Sequence, residues 1–411
     1  MSSFREAAGS AAPRIAVAEL ELCGPIGPVA VDPQATWVRV LVRAAGVPIT
    51  WMWMDPDDEA IPGDSLGRGL VGVAPALARG AVRARDRLPD AVPTPPISIV
   101  ICTRDRQQSL ARCLDAVLQL DYPEYEIVLI DNAPSSDGTA HVAARYPARY
   151  IREPVPGLDW ARNRGIAEAR HDIIAFTDDD VRVDRQWLRG LAKGFANEAV
   201  GLVTGFVAPG SLESEAEQLF ELAYGGMGKG FAARDLEPSN AEPSQLLATH
   251  YLGVGANMAV RRAVLHQVGG FDTALDVGTP SRGGGDLDMF HRVLLTGRVA
   301  HYEPSAIVWH FHRTTRAGLR RQMYDNGRAF GTYLLVRLRD GRLPRLAVAG
   351  LLMRWLLWLL GRIPRRFLRR ERMPLPCLAA ELWGALHAPY AYLRTYACDR
   401  RLRRAMRASS S

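Results

Sequence analysis

Apolar residues fall into two kinds of pattern along this chain. Unbroken runs stand at Ile97–Cys102 (ISIVIC), Glu126–Asp131 (EIVLID) and Ile173–Thr177 (IIAFT), and each predicts a strand buried on both faces. Between them, SLARCLDAVLQL (109–120), SDGTAHVAARY (136–146) and LDWARNRGIAEAR (158–170) read as helices, and RYI (149–151) as a short strand. Strands alternating with helices predict an α/β fold with a mostly parallel sheet flanked by helices. Ligands of such sheets sit beyond the carboxyl ends of the strands, where Asp131 and the triplet Asp178-Asp179-Asp180 fall.

Outside this region the patterns change. ATWVRVLVRAAGVPITWMWM (35–54) holds two runs rich in Val, Ile and Trp split by Ala-Gly, which predicts a β-hairpin. LVGVAPALARGAVRARDRL (70–88) is helical in tone, and PDAVPTPP (89–96) reads as a linker because four prolines in eight positions preclude regular structure. The expected units are a disordered 1–13, a small accessory α+β unit at 14–88, the linker, a catalytic domain at 97–335 and a basic, apolar-helical region at 336–411.

Composition narrows the class. The 411 residues are 48% hydrophobic and 23% charged, which is globular. Five cysteines without a CxxC pair argue against a zinc site or disulfide framework and fit a reducing compartment. The N-terminus shows no secretory pattern, so a cytoplasmic location is expected. The net charge of +7 hides an asymmetry: from Arg313 onward there are 22 Arg, no Lys and five acids, or +17, and the rest of the chain carries −10. RLAVAGLLMRWLLWLLG (345–361) is interrupted by Arg354 and falls short of the roughly 20 residues of a span. With Trp355, Trp358 and the following RIPRRFLRRERM, it suits the interface of an anionic membrane at the inner face of the cell membrane. The other reading is a helix packed on the catalytic domain. Nucleic acid is not the expected partner.

Three adjacent carboxylates at a strand end repel one another unless a hard cation is held there. Asp178 and Asp180 could serve a metal while Asp179 meets a sugar or ribose hydroxyl. The plain alternative is a solvated acidic loop before the helix that starts near Asp184.

The sequence resembles the family 2 glycosyltransferases, inverting enzymes of bacterial type with the GT-A fold. The resemblance rests on ISIVICTRDRQQSLARCLDAVLQLDYPEYEIVLIDN, PGLDWARNRGIAEARHDIIAFTDDD, GANMAVRRAVLHQVGGFDTAL and GGGDLDMFHRVLLTGRVAHYEPSAIVWHFHR, four ordered blocks within about 95–335. It implies a Rossmann-like sheet, a nucleotide-diphosphate sugar donor, Mn²⁺ or Mg²⁺, and an acceptor hydroxyl on a lipid-linked glycan, a polysaccharide or a small metabolite. It further implies that Asp131 meets the base or ribose, with Cys102 and Arg104 lining the same pocket. Arg162 and Asn163 would lie near the diphosphate, and Asn257 on the donor-sugar or acceptor side. Asp178, Asp180 and His310 would hold the metal, and Asp286 would be the base. Asp288 is the rival for the base, and only one of His310 and His312 is expected to point into the site. Gly285 stands where many members have Glu. YGGMGKGF (224–231) reads as a loop over the acceptor site, because it lacks phosphate-loop spacing. A phosphohydrolase with an Asp-x-Asp nucleophile fits less well, since Arg182 follows the second aspartate at the place where Thr or Val is wanted. A non-catalytic nucleotide- or anion-binding module is the remaining alternative.

Overall fold

The computed structural model describes residues 13–23, 29–55, 60–61, 70, 73 and 93–409. The first unit holds strand β1 (Ile15–Glu21) parallel to β2 (Trp37–Ala44), which pairs antiparallel with β3 (Val47–Met54). The hairpin predicted at 35–54 is therefore present. Its turn residues Ala45 and Gly46 both have positive φ, which matches the right-handed twist of the two strands. The Glu21 carboxylate accepts hydrogen bonds from both of their amides, at 2.8 and 2.9 Å. The helix expected at 70–88 and the disordered 1–13 lie almost wholly outside the described residues.

The central sheet begins with β4 (Ile97–Thr103), in which all seven residues are buried. Helix α1 (Gln107–Val117) leads to β5 (Tyr125–Asn132), and β6 (Ala148–Glu153) follows. Next come α2 (Leu158–Glu168), β7 (Ile173–Asp178), the short β8 (Val181–Val183), α3 (Trp187–Gly194) and β9 (Val200–Pro209). A single π-helical turn occupies Leu219–Tyr224. The sheet is completed by β10 (Arg234–Leu236), β11 (Asn257–Arg261) and, after helix α4 (Gly285–Leu294), β12 (Val299–His310). The strand order is β8-β12-β9-β11-β7-β4-β5-β6, with β10 paired to β12.

The sheet alternates sides with a period of two, as a doubly covered sheet must. Ile97, Ile99 and Ile101 pack with α1 and α3, whereas Val100 and Cys102 pack with α2 and α4. The block β6-β5-β4-β7 is parallel, as predicted, but the sheet as a whole is mixed. β11 runs antiparallel to both β7 and β9, because it enters directly at the carboxyl end of β7, where Asn257 pairs with Thr177, without a crossover. The first unit packs Leu41, Trp51 and Val17 on Phe206, Ile307 and Trp309 of the central sheet. Arg43 ties the two together through Asp184 at 2.6 Å and Glu19 at 2.7 Å.

Three helices end the chain: α5 (Arg316–Asp340), α6 (Arg345–Phe367) and α7 (Leu375–Ser409). α5 runs unbroken through residue 335, where the sequence reading divided the chain. Its stop is Gly341, a left-handed C-cap with φ of 67°. α5 and α7 meet through small residues: a Cβ on Gly327 would overlap the Glu381 carbonyl, and one on Gly384 the Tyr324 carbonyl. The far part of α7 is held by Tyr396 to Asp272 at 2.9 Å and Thr273 to Asp399 at 2.6 Å.

This contact sets two opposite expectations. Gly384→Val should lower unfolding stability by about 1–3 kcal/mol in urea titrations, since neither backbone can retreat freely. Gly350→Ala, on α6 with open space around it, should instead gain up to ~1 kcal/mol from helix propensity.

Candidate active site

The aspartate triplet is divided by the turn from β7 into β8. Asp178 closes β7, and β8 then pairs antiparallel with β12 in a register that sets Val181 opposite His310. A bond from Phe311 N to Asp180 O at 3.0 Å locks this arrangement. One ligand atom each from Asp178, Asp180 and His310 lies within 4.8 Å of the others, and His310 Nε2 is 3.4 Å from Asp180 Oδ1. Two carboxylate oxygens and one imidazole suit a divalent cation such as Mn²⁺ or Mg²⁺. Burial lowers the His310 pKa, which favours the neutral, ligating imidazole, and burial raises that of Asp178 against the pull of Arg162. Both features fit a site whose repulsion a cation would relieve.

His310 and His312 lie on the same side, as residues two apart on an extended chain do, with rings stacked at 4.9 Å. His310 reaches the aspartates, whereas His312 Nε2 is bonded to Glu221 of the π-helical turn at 2.8 Å.

Asp179 departs from its expected role. It is 3% exposed and accepts from Thr103 Oγ1 at 2.7 Å and Arg106 Nη1 at 2.9 Å. Both oxygens are engaged, so Asp179 ties the first loop to the strand end and is not placed to meet a sugar. Burial pushes its pKa up to about 6. Arg106 also bonds Asp180 at 3.0 Å, so it takes the place beside the triplet, while Arg104 is exposed.

Arg162 is placed as expected. It is buried on α2, lines the cavity, and stands 3.3 Å from Asp159 and 3.6 Å from Asp178. The next residue turns about 100° round the helix and faces elsewhere. Asn163 therefore pins Phe271, accepting from its N–H at 2.7 Å and donating to its C=O at 2.9 Å. Asn257 is also corrected from cavity to core. It is fully buried, accepts from Trp187 Nε1 at 2.9 Å, and donates to the carbonyls of Phe206 and Ala306 at 3.0 and 2.8 Å. These carbonyls flank the irregularity in the β9–β12 pairing, where the ladder leaves them free.

Cys102 packs beneath α2, and burial pushes its thiol pKa well up, so it offers the cavity no ligand. Asp131 closes β5 next to Thr103. Its Oδ2 accepts from Tyr150 at 2.6 Å, while its Oδ1 faces Thr139 outside hydrogen-bonding geometry. Asp131 is fully buried and is not among the residues that line the cavity shared by Asp178 and Arg162.

On the opposite wall, Asp286 stands in the first turn of α4 and accepts from Gly255 N at 3.0 Å. Asp178, Arg162, His310 and Asp286 line one cavity of about 1220 Å³. Asp288, the rival base, is fully buried between Arg292 at 2.6 Å and Arg337 at 2.8 Å. Among the lining residues that the sequence reading did not single out are Asp159, His250 and Arg282, whereas Lys229 belongs to the 224–231 loop it placed over the acceptor site. Burial, and then neighbouring Asp276, push the Asp159 pKa well above the usual carboxylate range. Its signal was its position one helical turn before Arg162.

Residues 98–269 match the family model described as glycosyl transferase family 2. Over those residues the chain is similar to the family 2 glycosyltransferases. The α/β sheet anticipated from the sequence is present, and its parallel block ends at the Asp178–Asp180–His310 cluster. The pre-mycofactocin glycosyltransferase of Mycobacterium tuberculosis is 27% identical over 331 residues, 74% of this chain and 66% of that protein. A glucosyl-dolichyl phosphate glucuronosyltransferase of Haloferax volcanii is 25% identical over 193 residues, 43% of this chain and 56% of that protein. The chain thus spans less than two thirds of the length of these relatives. Among solved structures, a mannosyltransferase from Pyrobaculum calidifontis in complex with GDP-Man and Mn²⁺ aligns with a TM-score of 0.46 at 20% identity. That alignment covers 79% of this chain and 81% of the other.

The geometry of the Asp178–Asp180–His310 cluster predicts metal binding. Titration with Mn²⁺ in the presence of a nucleoside diphosphate should show binding that His310→Ala weakens by about ten-fold or more and Asp180→Asn abolishes. Unchanged binding in His310→Ala would remove it from the ligand set.

Proposed function

We propose that this protein is a metal-dependent, inverting glycosyltransferase that moves a sugar from a nucleoside-diphosphate sugar to an acceptor hydroxyl at a membrane surface. One observation carries the reading: Asp178 and His310, which cluster with Asp180, line a single cavity with Asp286, so a leaving-group site shares that cavity with a separate proton acceptor. The acceptor oxygen would attack the anomeric carbon while the bond from that carbon to the diphosphate oxygen breaks. Asp286 would take the hydroxyl proton. A bound divalent cation would supply Lewis-acid stabilisation of the charge gathering on the departing diphosphate. Arg162 adds a fixed positive charge beside Asp178 from the protein itself.

The membrane part of the reading rests on α6. It is long and apolar enough to cross a membrane, with a mean hydropathy of 1.6, and only 17% of its most apolar stretch is buried. Leu357, Trp358 and Phe367 are exposed, and the arginines around them suit anionic headgroups. Arg362 near its end is buried and bonded to Glu371 at 2.8 Å and Glu381 at 2.7 Å, which favours a helix lying against the protein at the interface. A small metabolite as acceptor is the competing reading.

Two outcomes test the proposal. Asp286→Asn should keep donor binding and lose about 10²-fold or more in transfer, measured with a screen of nucleotide sugars and Mn²⁺. Loss of donor binding as well would make Asp286 structural. In flotation, the protein should rise with vesicles containing anionic phospholipid, and Leu357→Ser/Trp358→Ser/Phe367→Ser should not. These surface changes are preferable to removing 341–411, which would also strip α7 from α5. Flotation that survives them would refute the interfacial reading.

A further inference from the structure

The three candidate metal ligands stand on unequal supports. Asp178 ends β7, which lies inside the sheet between β4 and β11. Asp180 and His310 are brought together by β8, which has three residues, stands at the edge of the sheet and pairs with β12. Besides the bonds from Arg106 and from Phe311 N, the register that sets Val181 opposite His310 places Asp180. A slip of one residue would turn every side chain of β8 to the other face. The adjacent carboxylates of 178–180 repel one another and push this turn open until a cation is bound. Three residues of ladder are a weak restraint against that push.

The first unit grips β8 from outside. Val181 and Val183 face the core formed with α1 and α3, so Arg182 points to the other side of the sheet. There it lies over Trp309 at 5.0 Å, and its Nη2 stands 3.4 Å from Glu19 of β1. Glu19 also accepts from Nη1 of Arg43, on β2, at 2.7 Å. Arg43 in turn bonds both oxygens of Asp184, the residue after β8, at 2.6 and 3.1 Å. The four charges alternate in sign, two from each unit. The Arg43–Asp184 pair is nearly closed to water, with side chains 10% and 9% exposed. A two-pronged arginine–carboxylate bond fixes direction as well as distance, and burial spares it from salt screening. Asp184 is itself anchored: its N–H donates to Ile307 O of β12 at 3.1 Å, and its Oδ1 accepts from Gln186 N at 2.9 Å.

We propose that the first unit is a positioning element of the metal site, with Arg43 and Glu19 acting through Asp184 and Arg182. By holding β8 against β12 they keep Asp180 and His310 at the separation a divalent cation needs. The proposal rests on the metal-dependent reading above. Docking alone does not call for these charges, since Leu41, Trp51 and Val17 already bury an apolar face on the sheet. A buried ion pair adds little net stability over apolar packing, and its best-attested use is to fix register.

The test needs no sugar transfer. Mn²⁺ alone is titrated into full-length protein by calorimetry. In parallel, without metal, hydrogen exchange is followed at the amides of Phe311 and Asp184, which bond across the β8–β12 pair. Arg43→Met should weaken Mn²⁺ binding by about ten-fold or more and speed exchange at both amides. Arg43→Lys should fall between that variant and the wild type, because lysine keeps the charge but not the two-pronged bond. Met52→Ala, in the first unit's own core away from β8, should lower stability in urea yet leave Mn²⁺ affinity and both amides as they were. If Arg43→Met does not fold, Arg182→Ala decides on a half-exposed side chain, with an expected loss of about three-fold. Mn²⁺ affinity unchanged in the folded variant, or an equal loss in Met52→Ala, overturns the proposal alone. A wild-type protein that takes up no Mn²⁺ overturns the metal-dependent reading and this proposal together.

Discussion

The burial of one guanidinium organises the catalytic end of this molecule. Arg162 is 6% exposed and sits between Asp159 and Asp178, with its charge over the face of Phe271 at 5.2 Å. A buried cation is tolerable when acids surround it, and the acids are tolerable because of it. The glycines of two distant motifs follow from that packing. A Cβ on Gly255 would press on the Arg162 guanidinium, and one on Gly285 would collide with Asp159. Position 285 is therefore glycine because the Asp159 carboxylate already occupies the space a side chain would need. Gly255 also donates its N–H to Asp286, so the same close approach positions that carboxylate.

The other end of the cavity depends on the C-terminal helices. α5 and α7 come close enough to touch backbones, and this places Phe330 and the α6 wall across from the sheet. Glu381, on α7, accepts from Arg362 of α6 and from Tyr224 of the π-helical turn at 2.9 Å. Three residues before Tyr224, Glu221 holds His312, whose ring stacks on His310. A chain of contacts therefore joins the apolar helix to a metal-ligand candidate. The apolar helix and the aspartate cluster belong to one packed unit, although they are far apart in sequence.

Much of this was legible beforehand, for identifiable reasons. A strand buried on both faces requires an unbroken apolar run, so β4, β5 and β7 stood out within a residue or two of their ends. The hairpin was readable because Ala45-Gly46 supplies the positive φ that the turn needs. Residues argued from type alone fared less well. Asn163 and Asn257 are polar and lie in motifs, yet both serve carbonyls and amides that packing leaves open. Whether an amide binds a ligand or a backbone depends on neighbours that arrive from more than a hundred residues away in one case and about fifty in the other.

The sequence by itself determined the element types, the carboxylates at strand ends, the basic C-terminal region and the family. These follow from local periodicity, composition and short motifs, which need no knowledge of what lies across the fold. Tertiary structure decided which carboxylate is free. The resemblance preferred Asp286 to Asp288, and it is the packing of Arg292 and Arg337 on Asp288 that makes it a structural ion pair while Asp286 faces the cavity. It decided equally that Arg106, not Arg104, meets the aspartates, and that His310 joins them through the pairing of β8 with β12. The reason is the same in each case: charge and hydrogen bonding act over a few ångströms of space, and chain distance says little about which groups share it.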